Sequence, residues 1–448
     1  MSEEDAPKIV SDVPGKKSSN LLEKSNKYVP EALYSLTPIF IAKGEGAVLT
    51  DVDGNKYVDL ATGISSLNTG HRHPRVMKEI QKQLDKYMHV CWHTNRYAPY
   101  VDMAEKLAEI APGDFHKKVF LANSGAEAVE NAVKIAIWYT QRARLIAFEY
   151  AFHGRTRMAV GLTGSVNPYR KGLGRNSWNI YRVPTAYCYR CPFGDEEYPE
   201  CGLKCLDYLE HNLGLHEDPD EIAAMILEPV QGEGGFIVPP TEFVQGLKRI
   251  CDEYGFLFID DEIQAGLGRT GKMFGMEHHD VVPDIITVAK SLGGGLPLSA
   301  VIMKDEIADS LHAGALGTTF GGNPVSCVAG LETIDIIEEN LSHAQEMGEL
   351  MRKRMDEWYE QFSFIGDVRG LGMMRAIEFV EDRETKEPSK EIRDNVIQTC
   401  HKKGAMVISA GSHKNVLRFL PALNIREELL TKGFNIVEES LEEVAKER

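Results

Sequence analysis

From residue 115 onward, short apolar runs alternate with longer segments whose apolar positions recur every three to four residues. "KKVFLAN" precedes "SGAEAVENAVKIAIWYTQ"; "RLIAFEY", "IAAMILEP", "FLFIDDE" and "DIITVAK" have strand length; "FVQGLKRICDEYG" has helical period. This alternation predicts an α/β domain around a mostly parallel sheet. In that architecture, ligands sit beyond the carboxyl ends of the strands. Upstream, "PIFIAKGEGAVLTDVDGNKYVDLATG" alternates apolar and polar positions about Asp53-Gly54, which predicts a meander of short strands with a tight turn. The long amphipathic stretch "VSCVAGLETIDIIEENLSHAQEMGELMRKRMDEWYEQF" is followed by strand-like "IGDVRGLGMMRAIEFV" and "AMVISAGSHKNVLRFLPAL". These predict a smaller domain that the N-terminal strands join. The expected division is an N-terminal arm over 1–35, the first part of the small domain over 36–80, a large domain over 81–345, and the C-terminal small domain over 346–448.

A chain of 448 residues is long enough for several well-buried cores, and 43% hydrophobic with 26% charged residues is an ordinary globular composition. The formal net charge of −17 argues against a nucleic-acid surface and against attraction to anionic membranes. Small molecules are the expected partners. The opening "MSEEDAPKIVSDVPGKKSSN" has acids and prolines where a signal peptide needs a basic start and an apolar core, and no apolar run approaches the roughly 18 residues of a spanning helix. A cytoplasmic location is expected. Four of the eight cysteines, Cys188, Cys191, Cys201 and Cys205, form a C-x2-C-x9-C-x3-C cluster. Its spacing suits zinc or an iron–sulfur centre, two disulfides, or four packed thiols, and the sequence leaves these open.

Candidate chemistry gathers at four strand ends. In "VFLANSGAEAVENAVKIA" a strand runs through Asn123 into Ser124, Gly125 and Ala126, where free N–H groups at a helix start form a phosphate cradle; the plainer alternative is a Ser N-cap with Glu127 as first-turn acid. In "AFEYAFHGRT", Phe152 can stack on a planar ring, His153 follows it, and Arg155 can hold a carboxylate. "GFLFIDDEIQAGLGRTG" ends a strand on Asp260 and Asp261; side chains alternate, so only one of the pair should enter a site, where a protonated ring nitrogen would be its partner and Gln264 could reach a ring oxygen. In "PDIITVAKSLGGGLPLSAVIM", Lys290 is either a strand-end charge reaching solvent or an amine kept dry as a nucleophile. Phosphate cradle, stacking aromatic, buried acid and lysine together make a kit for pyridoxal phosphate held as a Schiff base.

The motifs "NSGAEAVENAVKIA", "FHGRT", "LEPVQGEGGF", "IDDEIQAGLGRTG", "ITVAKSLGGGLPLSAV" and "TTFGGNP" closely resemble the class III pyridoxal-phosphate aminotransferases, over about residues 35 to 440. The resemblance implies the aspartate-aminotransferase fold (fold type I), with a large domain built on a mostly parallel sheet of seven strands and a smaller α+β domain from both termini. It also implies a homodimer, or a higher assembly of dimers, with sites at the subunit interface. By motif match, Lys290 is the Schiff-base lysine, Asp261 the pyridinium partner, and Gln264 the contact to the ring oxygen. Ser124, Gly125 and Ala126 hold the phosphate with Thr319 from the other subunit, and Phe152 stacks on the ring.

Within that family, the 4-aminobutyrate branch pairs an acid with a late arginine, here Glu233 and Arg418. An enzyme alternating between an ω-amine and 2-oxoglutarate must bind and then hide a positive charge, and an acid that neutralises Arg418 for one substrate and swings away for the other achieves this. Ile64 falls at an apolar substrate contact, and Arg155 matches the arginine that takes the donor's distal carboxylate. The implied reaction moves an amino group from an ω-amino acid such as 4-aminobutyrate or ornithine to 2-oxoglutarate by a ping-pong route. The alternative is an amino-acid racemase or epimerase of the same family, for which His93 is a candidate second proton donor. A non-catalytic binding protein on this fold would lack Lys290 or its acid partner, and both are present.

Overall fold

The computed structural model describes residues 5–173, 179–194 and 198–448. It divides into two compact units, one of residues 75–341 and one of residues 1–74 with 342–448. In chain order the strands are β1 (Ile41–Glu45), β2 (Val48–Asp51), β3 (Lys56–Asp59), β4 (Lys117–Ala122), β5 (Arg144–Phe148), β6 (Ile180–Val183), β7 (Ile222–Leu227), β8 (Leu257–Asp261), β9 (Ile285–Val288), β10 (Ser299–Lys304), β11 (Ile365–Leu371), β12 (Met374–Phe379), β13 (Ala405–Met406), β14 (Ile408–Ala410) and β15 (Val416–Phe419).

The 75–341 unit is organised by a seven-stranded sheet in the order β4-β10-β9-β8-β7-β5-β6. β6, β5, β7, β8 and β9 run parallel, whereas β10 is antiparallel to both β9 and β4. Successive side chains of a strand face opposite ways, and the apolar ones divide accordingly. Ile146, Phe148, Met225, Leu227 and Phe258 enter one core cluster with Phe243, Leu247 and Leu206 from helices Thr241–Tyr254 and Lys204–Asn212. Leu145, Ala147, Ala224, Ile226, Leu257 and Ile259 enter the other, with Ala128, Val129, Ala132 and Val133 of helix Gly125–Thr140. Both faces of the sheet are therefore covered, which is why β7 reads as an unbroken apolar run and is buried throughout. The same parity decides the Asp pair: Asp261 follows Ile259 onto the face of helix Gly125–Thr140, while Asp260 follows Phe258 onto the opposite face.

The other unit contains the sheets β1-β2-β3-β13 and β11-β12-β15-β14. The β2–β3 turn closes on Asp51, whose Oδ1 accepts from the N–H groups of Asp53 and Asn55, with Gly54 at φ +97°. Within the segment expected to be an arm, Lys16–Tyr28 is helical. Its start is capped from a distance: the Asp53 carboxylate accepts from the backbone of Lys17 and Ser18 at 2.7 and 2.9 Å. Gly15 allows that approach, since a Cβ there would lie 2.4 Å from Asp53 Cγ. Among the described residues no helix is long and apolar enough to cross a membrane.

Candidate active site

The ends of the six strands that run alike, β4 included, and the first residue of β10 lie along one edge of the seven-stranded sheet, with Ser299 paired opposite Ala122. Asp261, at the end of β8, is 2% exposed. Its Oδ1 accepts from Thr287 Oγ1 at 3.1 Å and from the N–H of Ile263 at 3.2 Å, and its Oδ2 lies 2.6 Å from His153 Nδ1. Three donors occupy three of the roughly four acceptor positions of a carboxylate. An ionised Asp261 only accepts, so Nδ1 of His153 carries the proton; Nε2 on the other side of the ring is buried without a hydrogen-bond partner in the structure.

The strand-to-helix step after β4 combines the two readings the sequence left open. Ser124 is the N-cap of helix Gly125–Thr140: its Oγ accepts from the Glu127 N–H, and the Glu127 carboxylate accepts in return from the N–H groups of Asn123 and Ser124. That capping box satisfies Asn123, Ser124 and Glu127 but leaves the N–H groups of Gly125 and Ala126, which have no partner within the helix, at the positive end of its dipole. The Ser124 hydroxyl retains its proton for donation. Close packing keeps the cradle open: a Cβ on Gly125 would lie 2.9 Å from Ile263 Cδ1, and one on Gly154 would lie 2.9 Å from Ala126 Cβ.

Glu228, just past β7, is a part of the site that the sequence reading left unassigned. It is 5% exposed, and its two carboxyl oxygens accept from the N–H groups of Phe152 at 2.7 Å and Gly232 at 2.9 Å. Burial raises its pKa to about 7, with the charge of Asp261 acting in the same direction and that of His153 opposing. The same strand-end rule that singled out Asp261 applies to "MILEP" and would have found it. Gly232 in turn serves Gln264, which is 5% exposed: a Cβ at 232 would lie 2.5 Å from both Cδ and Oε1 of Gln264. The "QGEGG" glycine thus gives the Gln264 amide its place. Glu233 is the next residue, half-buried.

Lys290 follows β9 and opens a 3-10 turn, Lys290–Gly293, with φ at +48°. Left-handed backbone is uncommon for a non-glycine residue and collects at functional sites, where surrounding structure holds it. Its side chain is half-buried, between the two alternatives posed by the sequence.

Phe152 is half-buried and meets Tyr169 edge-on, ring centres 5.0 Å apart; the exposed Arg155 lays its guanidinium 4.8 Å from the centre of the same Tyr169 ring. Thr319 is exposed and its carbonyl accepts from His89, while its neighbour Thr318 takes the Asn123 amide at 3.2 Å. His93 is exposed against Gly317. Ile64 and Arg418 belong to the other unit, where the structure ties their segments together. Thr62 Oγ1 donates to the carbonyl of Leu420, two residues after Arg418, and the Leu420 N–H donates to Leu60. Thr62, Gly63, Ile64 and Ser65 all have left-handed φ, at 42°, 60°, 61° and 63°. For a β-branched residue such as Ile64 that is a true outlier, held by Asp59, whose Oδ1 accepts from both Ala61 and Thr62. Arg418 is 1% exposed within β15.

The model of the family described as "Aminotransferase class-III" matches residues 31–441. The chain belongs to that family. It is 42% identical over 424 residues to the probable 4-aminobutyrate aminotransferase of Bacillus subtilis (strain 168), covering 94% of this chain and 96% of that one. It is 41% identical over 432 residues to 5-aminovalerate aminotransferase DavT of Pseudomonas aeruginosa, covering 96% and 100%. Among solved structures, the omega transaminase from Pseudomonas jessenii in complex with PMP superposes with a TM-score of 0.89 at 28% identity, covering 95% of this chain and 98% of that one. The ornithine aminotransferase from Toxoplasma gondii does so with 0.83 at 29% identity, covering 97% of each. The protein is therefore a pyridoxal-phosphate-dependent transaminase of fold type I. The residues present suit that cofactor: an anion cradle with two N–H groups unused by the helix, a buried carboxylate with one acceptor position left, and a glycine-made recess holding Gln264.

Proposed function

We propose that this transaminase takes its amino group from an ω-amino acid, in the class of 4-aminobutyrate, 5-aminovalerate and ornithine, and passes it to 2-oxoglutarate by a ping-pong route, as a homodimer in the cytoplasm. The observation that carries the reading is Glu233, an acid covalently next to the glycine on which the Gln264 amide packs, in a chain that also keeps a deeply buried Arg418. The names of the relatives point the same way.

In this reading the 75–341 unit holds the cofactor. Ser124 Oγ and the N–H groups of Gly125 and Ala126 bind the phosphate, with Thr319 contributed by the second copy, so a monomer lacks one phosphate ligand. Asp261 keeps the ring nitrogen protonated, His153 fixes the orientation of Asp261, and Phe152 covers one ring face. Pyridoxal phosphate, when bound, supplies the aldehyde that takes up the amine and the ring that draws off electrons. Nζ of Lys290 removes the proton from the substrate carbon that carries the nitrogen. Arg155 leaves the Tyr169 ring to hold the donor's distal carboxylate. Arg418 binds a carboxylate of 2-oxoglutarate and is neutralised by Glu233 when the donor has no α-carboxylate, while Ile64 lines the apolar stretch between.

The deciding experiment incubates the holoenzyme with 4-aminobutyrate, 5-aminovalerate, ornithine and α-amino acids, each with 2-oxoglutarate, and measures glutamate. The ω-amino acids are expected to turn over fastest, with parallel double-reciprocal lines. Inversion of an enantiopure α-amino acid in the absence of any oxo acid would instead make the enzyme a racemase.

A further inference from the structure

The four clustered cysteines have no place in the transamination site. Cys188 opens the 3-10 turn Cys188–Arg190, Cys191 follows it, Cys201 precedes helix Lys204–Asn212, and Cys205 lies in its first turn. Gly202 and Leu203 both adopt left-handed φ, 61° and 60°, and turn the chain sharply between the second pair. All four side chains line one small cavity of about 20 Å³, together with Tyr198 and Lys204. That volume accommodates a single ion or one water. All eight cysteines of the described chain are unpaired thiols.

We propose that Cys188, Cys191, Cys201 and Cys205 bind one thiophilic divalent ion of the zinc class. Both pairs have the short Cys-to-Cys spacing of structural zinc sites, and soft, closely grouped sulfurs in a pocket of ion size become, once deprotonated, the donor set that such an ion selects. Among the described residues no three potential ligands already stand at ligating separations. The thiols close on the ion by rotation about Cα–Cβ, one staggered hop moving a sulfur by roughly 3 Å. Four S–H protons leave to solvent as four metal–sulfur bonds form; nothing is oxidised, and the resulting double negative charge is offset in part by Lys204 on the cavity wall. Four protein ligands leave no open position, so the ion is structural.

Its mechanical role follows from what the segment touches. Ala186, Cys205, Leu206 and Leu209 share a core cluster with Val183 of edge strand β6 and Phe243 of helix Thr241–Tyr254. Tyr187, next to Cys188, packs edge-on against Tyr150, ring centres 5.3 Å apart, two residues before Phe152. The ion staples the sheet edge to that helix layer and backs the loop that carries Phe152.

The test is elemental analysis of full-length holoenzyme purified without chelator, with thiols titrated in denaturant plus chelator and no reductant. Close to one zinc per chain is expected for a closed tetrathiolate site, with all eight thiols of the sequence reacting. Cobalt in place of zinc should show the charge-transfer bands of tetrahedral thiolate coordination. C191S/C201S should lose the metal while keeping its pyridoxal phosphate, and chelation should lower the melting temperature of the wild type alone. No metal with eight reactive thiols means four packed thiols and overturns the proposal; no metal with four reactive thiols means two disulfides and also overturns it. Metal retained in the double variant places the ion elsewhere. The wild-type metal and thiol counts decide even if the variant does not fold.

Discussion

His153 Nδ1 and Asp261 Oδ2 lie 2.6 Å apart, with side-chain exposures of 0% and 2%. The histidine comes from the loop after β5 and the acid from the end of β8, so the contact joins two strand ends across the intervening β7. Thr287 Oγ1 and the Ile263 N–H complete the ring of donors around the carboxylate. Orientation of Asp261 therefore depends on three groups, of which His153 is the one best placed to tune its basicity. Replacing His153 by Phe should lower kcat about 10- to 100-fold with little change in KM, the scale seen when an outer-shell partner is removed. D261N should cost more, because it removes the charge itself. Steady-state kinetics of both variants, with the pH dependence of the bound cofactor's absorbance, check the order; a D261N enzyme as active as H153F would contradict it.

Asp260 and Glu262 face the opposite side of the sheet and are 0% and 1% exposed. Burial raises the pKa of Asp260, and the charge of Glu262 raises it further; burial raises Glu262 to about 7 from an ordinary 4.5. Such acids stabilise the folded chain most when both states are protonated, and the contribution is lost as pH rises from about 4.5 to about 7. D260N supplies an amide N–H to Glu262 and removes one ionisable group. Its melting temperature should exceed the wild type's at pH 8, by a gain on the order of 1–3 kcal/mol, and differ little at pH 4.5. A variant less stable at pH 8 would contradict burial and mutual repulsion as the source of the raised pKa values.

Glu228 ties the Phe152 loop to the Gly232 loop through two backbone N–H groups. E228A strands both donors, each worth about 1–3 kcal/mol when left unsatisfied in a buried place. The variant should melt lower and bind pyridoxal phosphate more weakly, read by denaturation and by equilibrium dialysis. E228Q keeps one acceptor and should fall between it and the wild type. G232A should weaken cofactor binding without E228A's loss of stability, since its Cβ displaces only the Gln264 amide.

If Arg418 serves the oxo acid and Glu233 the ω-amine, the two half-reactions separate. R418A should slow the 2-oxoglutarate half-reaction while leaving the 4-aminobutyrate half-reaction nearly unchanged, and E233A should do the reverse. Stopped-flow recording of each half-reaction measures both. Equal losses in both halves would remove the switch.

Much of this site was legible because its residues stand where strands end. Asp261, Lys290 and the Ser124 turn are each marked by a polar group closing an apolar run, and period-2 alternation puts Asp261 and Asp260 on opposite faces of the sheet. What stayed hidden was non-local or conformational. The fit of Gly232 to Gln264 joins residues 32 positions apart in loops that no periodicity describes. The left-handed backbone at Lys290 and Ile64 runs against the preferences of both side chains and is imposed by their surroundings. The antiparallel direction of β10 was readable in retrospect: the short, glycine-rich Ala289–Leu298 link cannot make the crossover of a dozen or more residues that a parallel neighbour needs. The helix at Lys16–Tyr28 has a poor local N-terminal signal because its cap, Asp53, comes from elsewhere in the chain.

The role of Lys290 is the claim on which the rest of the chemistry stands. Borohydride reduction of the holoenzyme, followed by proteolysis and peptide mass spectrometry, tests it most directly. One phosphopyridoxyl adduct is expected, on Lys290, and none after K290A. An adduct on a different lysine, or an unmodified Lys290 in a fully loaded enzyme, would contradict it.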